Sequence, residues 1–293
     1  MDKFEKHSGR WIMNSNLQHM LRLCWQPLTK RASRSYVAGA ELANAVNACH
    51  RFAQQGFAST VGFWSGENDD HRLVADAYLN ALAALAGEGL DCYLSIKTSA
   101  LGLSRNLVNE VAESGREVGI GIHFDSLTHE EADQTFDLIA GQVSHCPQLG
   151  CTLPGRWRRS LRDTDLAVEL GLRVRVVKGQ WADPHHPDLD LREGFLAVID
   201  QLAGRSRYVA VATHDPPLAR EALRRLQAAG TPCGLELLYG LPLKAAVRAA
   251  KDADAPIRLY VPYGKAWLPY RISQIRKNPR VLWWVMRDAI FNR

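Results

Sequence analysis

From residue 60 onward, short apolar and β-branched runs alternate with longer stretches whose apolar positions recur every three or four residues. The short runs predict strands at 60–64 (TVGFW), 92–96 (CYLSI), 118–122 (VGIGI), 149–153 (LGCTL), 173–177 (RVRVV), 208–212 (YVAVA), 234–238 (GLELL) and 258–262 (RLYVP). The helical period is clear at 71–86 (HRLVADAYLNALAALA), 217–229 and 243–252. Strands alternating with helices imply parallel pairing through right-handed crossovers. Eight such units within about 230 residues match an α/β chain closed as a (β/α)8 TIM-type barrel. A doubly wound open sheet is the competing architecture, but no strand runs into G-x-G-x-x-G, and GIGIHF after Glu117 has two glycines and no phosphate-loop character. Residues 1–55 read as an N-terminal helical segment, with Leu17, Met20, Leu21 and Leu23 apolar and a periodic stretch at 41–53; residues 56–293 read as the barrel.

Composition narrows the class. An apolar fraction of 46% and a charged fraction of 23% suit a globular chain with a large core. The net charge of +5 is mild, and no Lys/Arg run interleaved with aromatics points to nucleic acid. Lys3, Lys6, Arg10, Arg22, Lys30, Arg31 and Arg34 face Asp2 and Glu5 at the start of the chain, so an amphipathic helix lying against a membrane stands beside the plainer reading of a solvated arm. Six scattered cysteines with no C-x-x-C suit a reducing compartment. With no secretory signal and no run of 18 apolar residues, the expected location is the cytoplasm, at most peripheral to the inner membrane face.

Barrels of this class carry their chemistry at the C-terminal ends of the strands. The polar candidates there are Glu67, Lys97, His123, Asp125, Thr152, Arg175, Lys178, Thr213, His214, Asp215, Glu236, Tyr239 and Tyr263. Each has a structural reading as well. Lys97 and Asp125 are placed to pair across neighbouring strands, His123 to sit as a bonded interior histidine, and His214-Asp215-Pro216-Pro217 to open a helix. Arg175 alternates with Arg173 and Val177 and so faces inward. An inward arginine needs an anionic partner.

The segment at 258–287, RLYVPYGKAWLPYRISQIRKNPRVLWWVMR, resembles the last strand and helix of the proline dehydrogenase family, whose pattern is R-x-Y-V-P-Y-G-x-x-W-x-P-Y-x-x-R-R. The resemblance runs in order along nearly the whole chain, through Ser35-Tyr36-Val37-Ala38-Gly39, Ser95-Ile96-Lys97, Asp125, Arg173-Val174-Arg175-Val176-Val177-Lys178-Gly179, Ala212-Thr213-His214-Asp215 and Leu238-Tyr239-Gly240. It implies non-covalent FAD, with Asp125, Thr152, Arg175, Val177, Lys178, Gly179, Thr213 and His214 around the cofactor and no metal. Lys97, Asp125 and Arg175 take the catalytic positions. Trp181, Tyr239, Tyr270, Ser273 and Gln274 fall at the substrate. The implied reaction is hydride transfer from a carbon beside an amine nitrogen to flavin N5, leaving an imine. The substrate class is a small amine, and the electron acceptor is a quinone or oxygen.

The chain departs from the pattern at the substrate end. The family face Tyr, Arg, Arg, whose arginines clamp the proline carboxylate, is here Tyr270, Ser273 and Gln274. Losing two charge-assisted hydrogen bonds costs about 3 kcal/mol against a carboxylate, so a substrate other than free L-proline is expected. Glu236 stands for a glutamine, Trp181 for a tyrosine and Gln180 for a small residue. Arg156, Arg271 and Arg276 are the candidates for a displaced carboxylate site in an authentic proline dehydrogenase. Competing readings are a Schiff-base aldolase on Lys97 or Lys178, a metal-dependent hydrolase on His123, Asp125, Lys178 and His214, and a flavin-fold subunit without catalysis.

Overall fold

The computed structural model describes residues 37–66, 68–125 and 128–264. Eight parallel strands close into a barrel in chain order: β1 (Ala58–Phe63), β2 (Cys92–Ile96), β3 (Gly121–Phe124), β4 (Leu149–Pro154), β5 (Arg173–Val177), β6 (Tyr208–Ala212), β7 (Cys233–Leu238) and β8 (Ile257–Tyr263). β8 pairs with β1 from Ala58↔Arg258 to Phe63↔Tyr263, which removes both sheet edges.

Helix α1 (Leu42–Ala53) precedes the barrel and buries Ala45, Ala48 and Cys49 against it. The strands are then joined through α2 (His71–Leu85), α3 (Arg105–Glu117), α4 (Ala132–Ala140), α5 (Ser160–Glu169), α6 (Leu191–Leu202), α7 (Pro216–Ala228) and α8 (Lys244–Asp252). Local chemistry starts several of them. The Asp70 carboxylate accepts from the backbone N–H groups of Arg72 and Leu73 at the head of α2. Asp190 does the same for Arg192 and Glu193 at α6, and Asp215 caps α7 ahead of Pro216.

The period of two along each strand sorts side chains between two environments. One face of the strands, carrying Val61, Leu94, Ile122, Val174, Val209 and Leu259, is sealed under the helices. The other face points into the bore, and there the residues are polar: Thr60, Tyr93, Ser95, His123, Thr152, Arg175 and Glu236 are all buried.

One predicted strand is displaced. Residues 118–122 alternate as a strand would, yet α3 runs to Glu117, Val118 closes it, and Gly119 turns the chain at φ +73°. β3 therefore starts at Gly121, three residues later than the pattern suggests.

Candidate active site

The bore holds one connected network centred on Arg175. β5 registers Arg175 beside Thr152 of β4 and Ala210 of β6. One terminal nitrogen of its guanidinium donates to Asp125 Oδ1 at 2.6 Å, and the other donates to Glu236 Oε1 at 2.7 Å. Tyr93 Oη stands 3.3 Å and Ser95 Oγ 3.4 Å from the same nitrogens. Glu236 also accepts from Thr60 Oγ1 and from Tyr93 Oη, each at 2.9 Å. Asp125 accepts from Tyr260 Oη at 3.1 Å and from Thr152 Oγ1 at 3.4 Å, and Thr152 is bonded to His123 Nε2 at 2.9 Å.

The electrostatics follow from this pairing. Burial pushes the Arg175 guanidinium down, but Glu236, Tyr93 and Asp125 outweigh it and hold it well above its ordinary value. Burial works against the Glu236 charge too, yet Arg175 keeps its carboxyl below the ordinary glutamate range. Burial, and then the neighbouring arginines, drive His123 well below its usual range, so it is neutral. Burial lowers Lys97, with Asp125 opposing.

Several expected residues sit differently from the sequence reading. Thr152 and Glu236 were expected at the rim; they lie inside the bore, because each is two residues short of its strand's last inward position, whereas His123 and Arg175 sit inside it as their interior readings had them. The Lys97–Asp125 ion pair is not formed. Asp125 takes Arg175 instead, and the Lys97 ammonium stands 5.6 Å from the centre of the Trp64 ring. Tyr239, expected to wall the pocket, packs edge-on against Phe52 of α1 at 6.0 Å, since Leu238 takes the inward position. Tyr263 turns away as well and donates to the Ala77 carbonyl at 3.1 Å. His214 has both ring nitrogens engaged with backbone. Nε2 accepts from the Leu238 N–H at 2.9 Å, so Nδ1 carries the proton toward the Pro242 carbonyl at 3.2 Å. Thr213 is buried, and its Oγ1 accepts from the Asp215 N–H. Lys178 pairs with Asp215 at 3.1 Å. Glu67, Tyr270, Arg271, Ser273, Gln274 and Arg276 lie outside the described residues.

The loops after β4 and β5 interlock beside this mouth. Arg156 donates to the Gln180 carbonyl at 2.8 Å, Trp157 Nε1 donates to the Trp181 carbonyl at 3.0 Å, and buried Asp183 accepts from the N–H groups of Arg158, His185 and His186. Trp181 is 37% exposed. Among the described residues no cluster of three His, Cys, Asp or Glu side chains is arranged to hold a metal ion.

A planar cofactor fits the residues present. Beyond Arg175 the inward positions are Pro154, Val177 and Ala212, in register with one another, which makes a small apolar shelf. Among the described residues Arg175 Nε is buried without a partner. At the edge of the shelf Gly179 has φ +88°, and a Cβ there would meet Arg156 Cγ at 2.8 Å and Pro154 Cβ at 2.9 Å.

No family model matches the chain. "Proline dehydrogenase 1" of Bacillus subtilis (strain 168) is 24% identical over 280 residues, covering 89% of this chain and 92% of that protein. "Proline dehydrogenase" of Deinococcus radiodurans is 26% identical over 282 residues, covering 88% of this chain and 90% of that one. The chain is thus similar to proline dehydrogenases along nearly nine-tenths of its length, at 24–26% identity. The same barrel fold is found in solved structures. Proline utilization A (PutA) from Bdellovibrio bacteriovorus, inactivated by N-propargylglycine, superposes with a TM-score of 0.74 at 15% identity, covering 89% of this chain. PutA from Corynebacterium freiburgense gives 0.69 at 16% identity, covering 94%. The chain spans 34% of the length of each PutA chain, so this likeness speaks to the barrel alone.

The sequence reading missed Thr60 and Tyr93, which hold Glu236, although a signal for each was present. Tyr93 lies four residues before Lys97, and Thr60 two residues before Gly62, on the same inward alternation.

Proposed function

We propose that the chain is an FAD-dependent oxidoreductase of proline dehydrogenase type, acting on a C–N bond of a small amine. The observation that carries this reading is the inward Arg175, fixed between Asp125 and Glu236 under an apolar shelf, in a barrel related over nearly nine-tenths of its length to proline dehydrogenases. The flavin supplies the acceptor for a hydride from the carbon next to nitrogen. The chain's residues position and tune. Val177, Gly179, Thr152 and Thr213 bound the cofactor, and Lys178 and His214 border it. Arg175 presents Nε toward it. Asp125 and Tyr260 form the polar wall beside Lys97. Trp181 and Tyr270 are proposed at the substrate, with Ser273 and Gln274.

On this reading the pocket disfavours a substrate carboxylate. In sequence, Ser273 and Gln274 occupy the positions of the family pattern's arginine pair. Three cations near the mouth are engaged, Arg175 with two carboxylates, Arg156 with backbone carbonyls and Lys178 with Asp215, and Lys97 stands over the Trp64 ring. The preferred substrate is therefore a cyclic amine or proline derivative without a free carboxylate.

The test is to load the purified protein with FAD and titrate it anaerobically with pyrrolidine and with L-proline. Bound flavin that pyrrolidine bleaches at lower concentration than proline supports both parts. Bleaching by proline at lower concentration overturns the substrate preference. A protein that does not bind FAD overturns the oxidoreductase reading.

A further inference from the structure

The proline dehydrogenase reading leaves one buried acid without a task. Glu236 is buried, 3% exposed. Its carboxylate takes three donors, from Thr60, Tyr93 and Arg175. Nothing else on β7 needs a charge there, because the neighbours Leu235 and Leu237 face the apolar layer under the helices.

We propose that Glu236 is a positioning residue that sets the reduction potential of the bound flavin, by cancelling part of the Arg175 charge and holding its guanidinium fixed. This rests on the flavin reading above. The guanidinium is a rigid planar fork. With one terminal nitrogen on Asp125 and the other on Glu236, it cannot turn about its long axis without breaking a charge-assisted bond. That leaves Nε as its free donor.

The sign of the effect follows from simple electrostatics. A reduced flavin carries more negative charge than an oxidised one, so a nearby cation favours reduction. A carboxylate on the far side of that cation opposes it. Because Glu236 is buried, its field is weakly screened. A neutral residue at this position would leave Arg175 with Asp125 as its one carboxylate, and the cofactor would become the better oxidant.

Glu236→Gln tests this directly, since the amide keeps the shape and, at the Oε1 position, an oxygen for Thr60 and Arg175, with its NH2 facing the Tyr93 hydroxyl, which can turn to accept. The midpoint potential of the FAD-loaded protein is measured against an indicator dye, alongside FAD affinity from tryptophan quenching. The expected result is a shift of the reduction equilibrium by about tenfold toward the reduced form, or about 30 mV for a two-electron couple. Glu236→Asp keeps the charge but withdraws it by one methylene, and it should move the potential in the same direction by less. This variant carries the test if Glu236→Gln does not fold. A folded, FAD-loaded variant whose potential matches the wild type overturns the proposal while leaving the flavin reading intact. A wild-type protein that takes up no FAD overturns the flavin reading itself.

Discussion

Two arginines on one strand, two residues apart and facing the same bore, live under different physics. Arg175 lies between two carboxylates, which hold its guanidinium well above its ordinary value. Arg173, one step nearer the start of β5, has no carboxylate within ion-pair distance among the described residues, and its Nε and Nη2 are buried without partners. It rests instead on the face of Tyr93, with its guanidinium carbon 3.7 Å from the ring centre. Arg258 approaches the same ring at 4.4 Å and is tied to Asp91 and to the Ser59 carbonyl. Burial pushes Arg173 below its ordinary value. The difference shows that an inward arginine is not by itself a site. What marks Arg175 is that its partners are two acids, Asp125 just past β3 and Glu236 on β7, while Arg173 is accommodated by an aromatic face.

The contrast can be broken at several points. Arg175→Met leaves Asp125 and Glu236 buried without their counter-charge and should destabilise the fold by about 3–5 kcal/mol, read from urea unfolding. A loss below 1 kcal/mol there would mean the network is not the keystone of the bore.

Gly179→Ala forces a side chain into a left-handed conformation against Arg156 and Pro154. It should cost about 1–3 kcal/mol and weaken FAD binding, measured as melting temperature with and without FAD. Equal losses with and without the cofactor would separate the glycine from the site.

Arg173→Met removes a cation that has no acid to leave behind. It gives up a cation–π contact but relieves a buried charge, so stability should stay within about 1 kcal/mol of wild type. A loss matching that of Arg175→Met would erase the distinction.

The smallest effect is on pH dependence. The Glu236 carboxyl is depressed in the fold, so the folded state binds fewer protons than the unfolded chain near the ordinary glutamate value. This stability is present above about pH 4.3 and is lost as the pH falls through the lower folded value. Glu236→Gln should flatten that acid limb in unfolding midpoints followed downward from pH 6.

Much of the barrel was legible in sequence because strand signals there are local. The runs 92–96, 173–177 and 208–212 are β2, β5 and β6 to the residue. The displaced third strand came from a glycine-rich stretch whose alternation continued through a turn, where the left-handed tolerance of Gly119 outweighed the pattern. In the site, the inward direction of Arg175 followed from period two alone. Its partner Glu236 stood out as a substitution, but the pairing of residues 61 positions apart depends on how the barrel closes. The tasks of His214 and Tyr239 were hidden for the same reason. One is decided by the backbone of residues 238 and 242, and the other by a helix that precedes the barrel. The substrate end at 270–274 lies outside the described residues, so there the sequence argument stands alone.

The central claim is that this barrel holds FAD and uses it to oxidise an amine. It is tested most directly by the visible absorbance of the FAD-loaded protein, recorded anaerobically before and after addition of pyrrolidine and of L-proline. The account predicts oxidised-flavin bands that persist through desalting and are bleached by the amine, with pyrrolidine the better reductant. A protein that emerges colourless after incubation with FAD, or one whose flavin neither compound reduces, would contradict it.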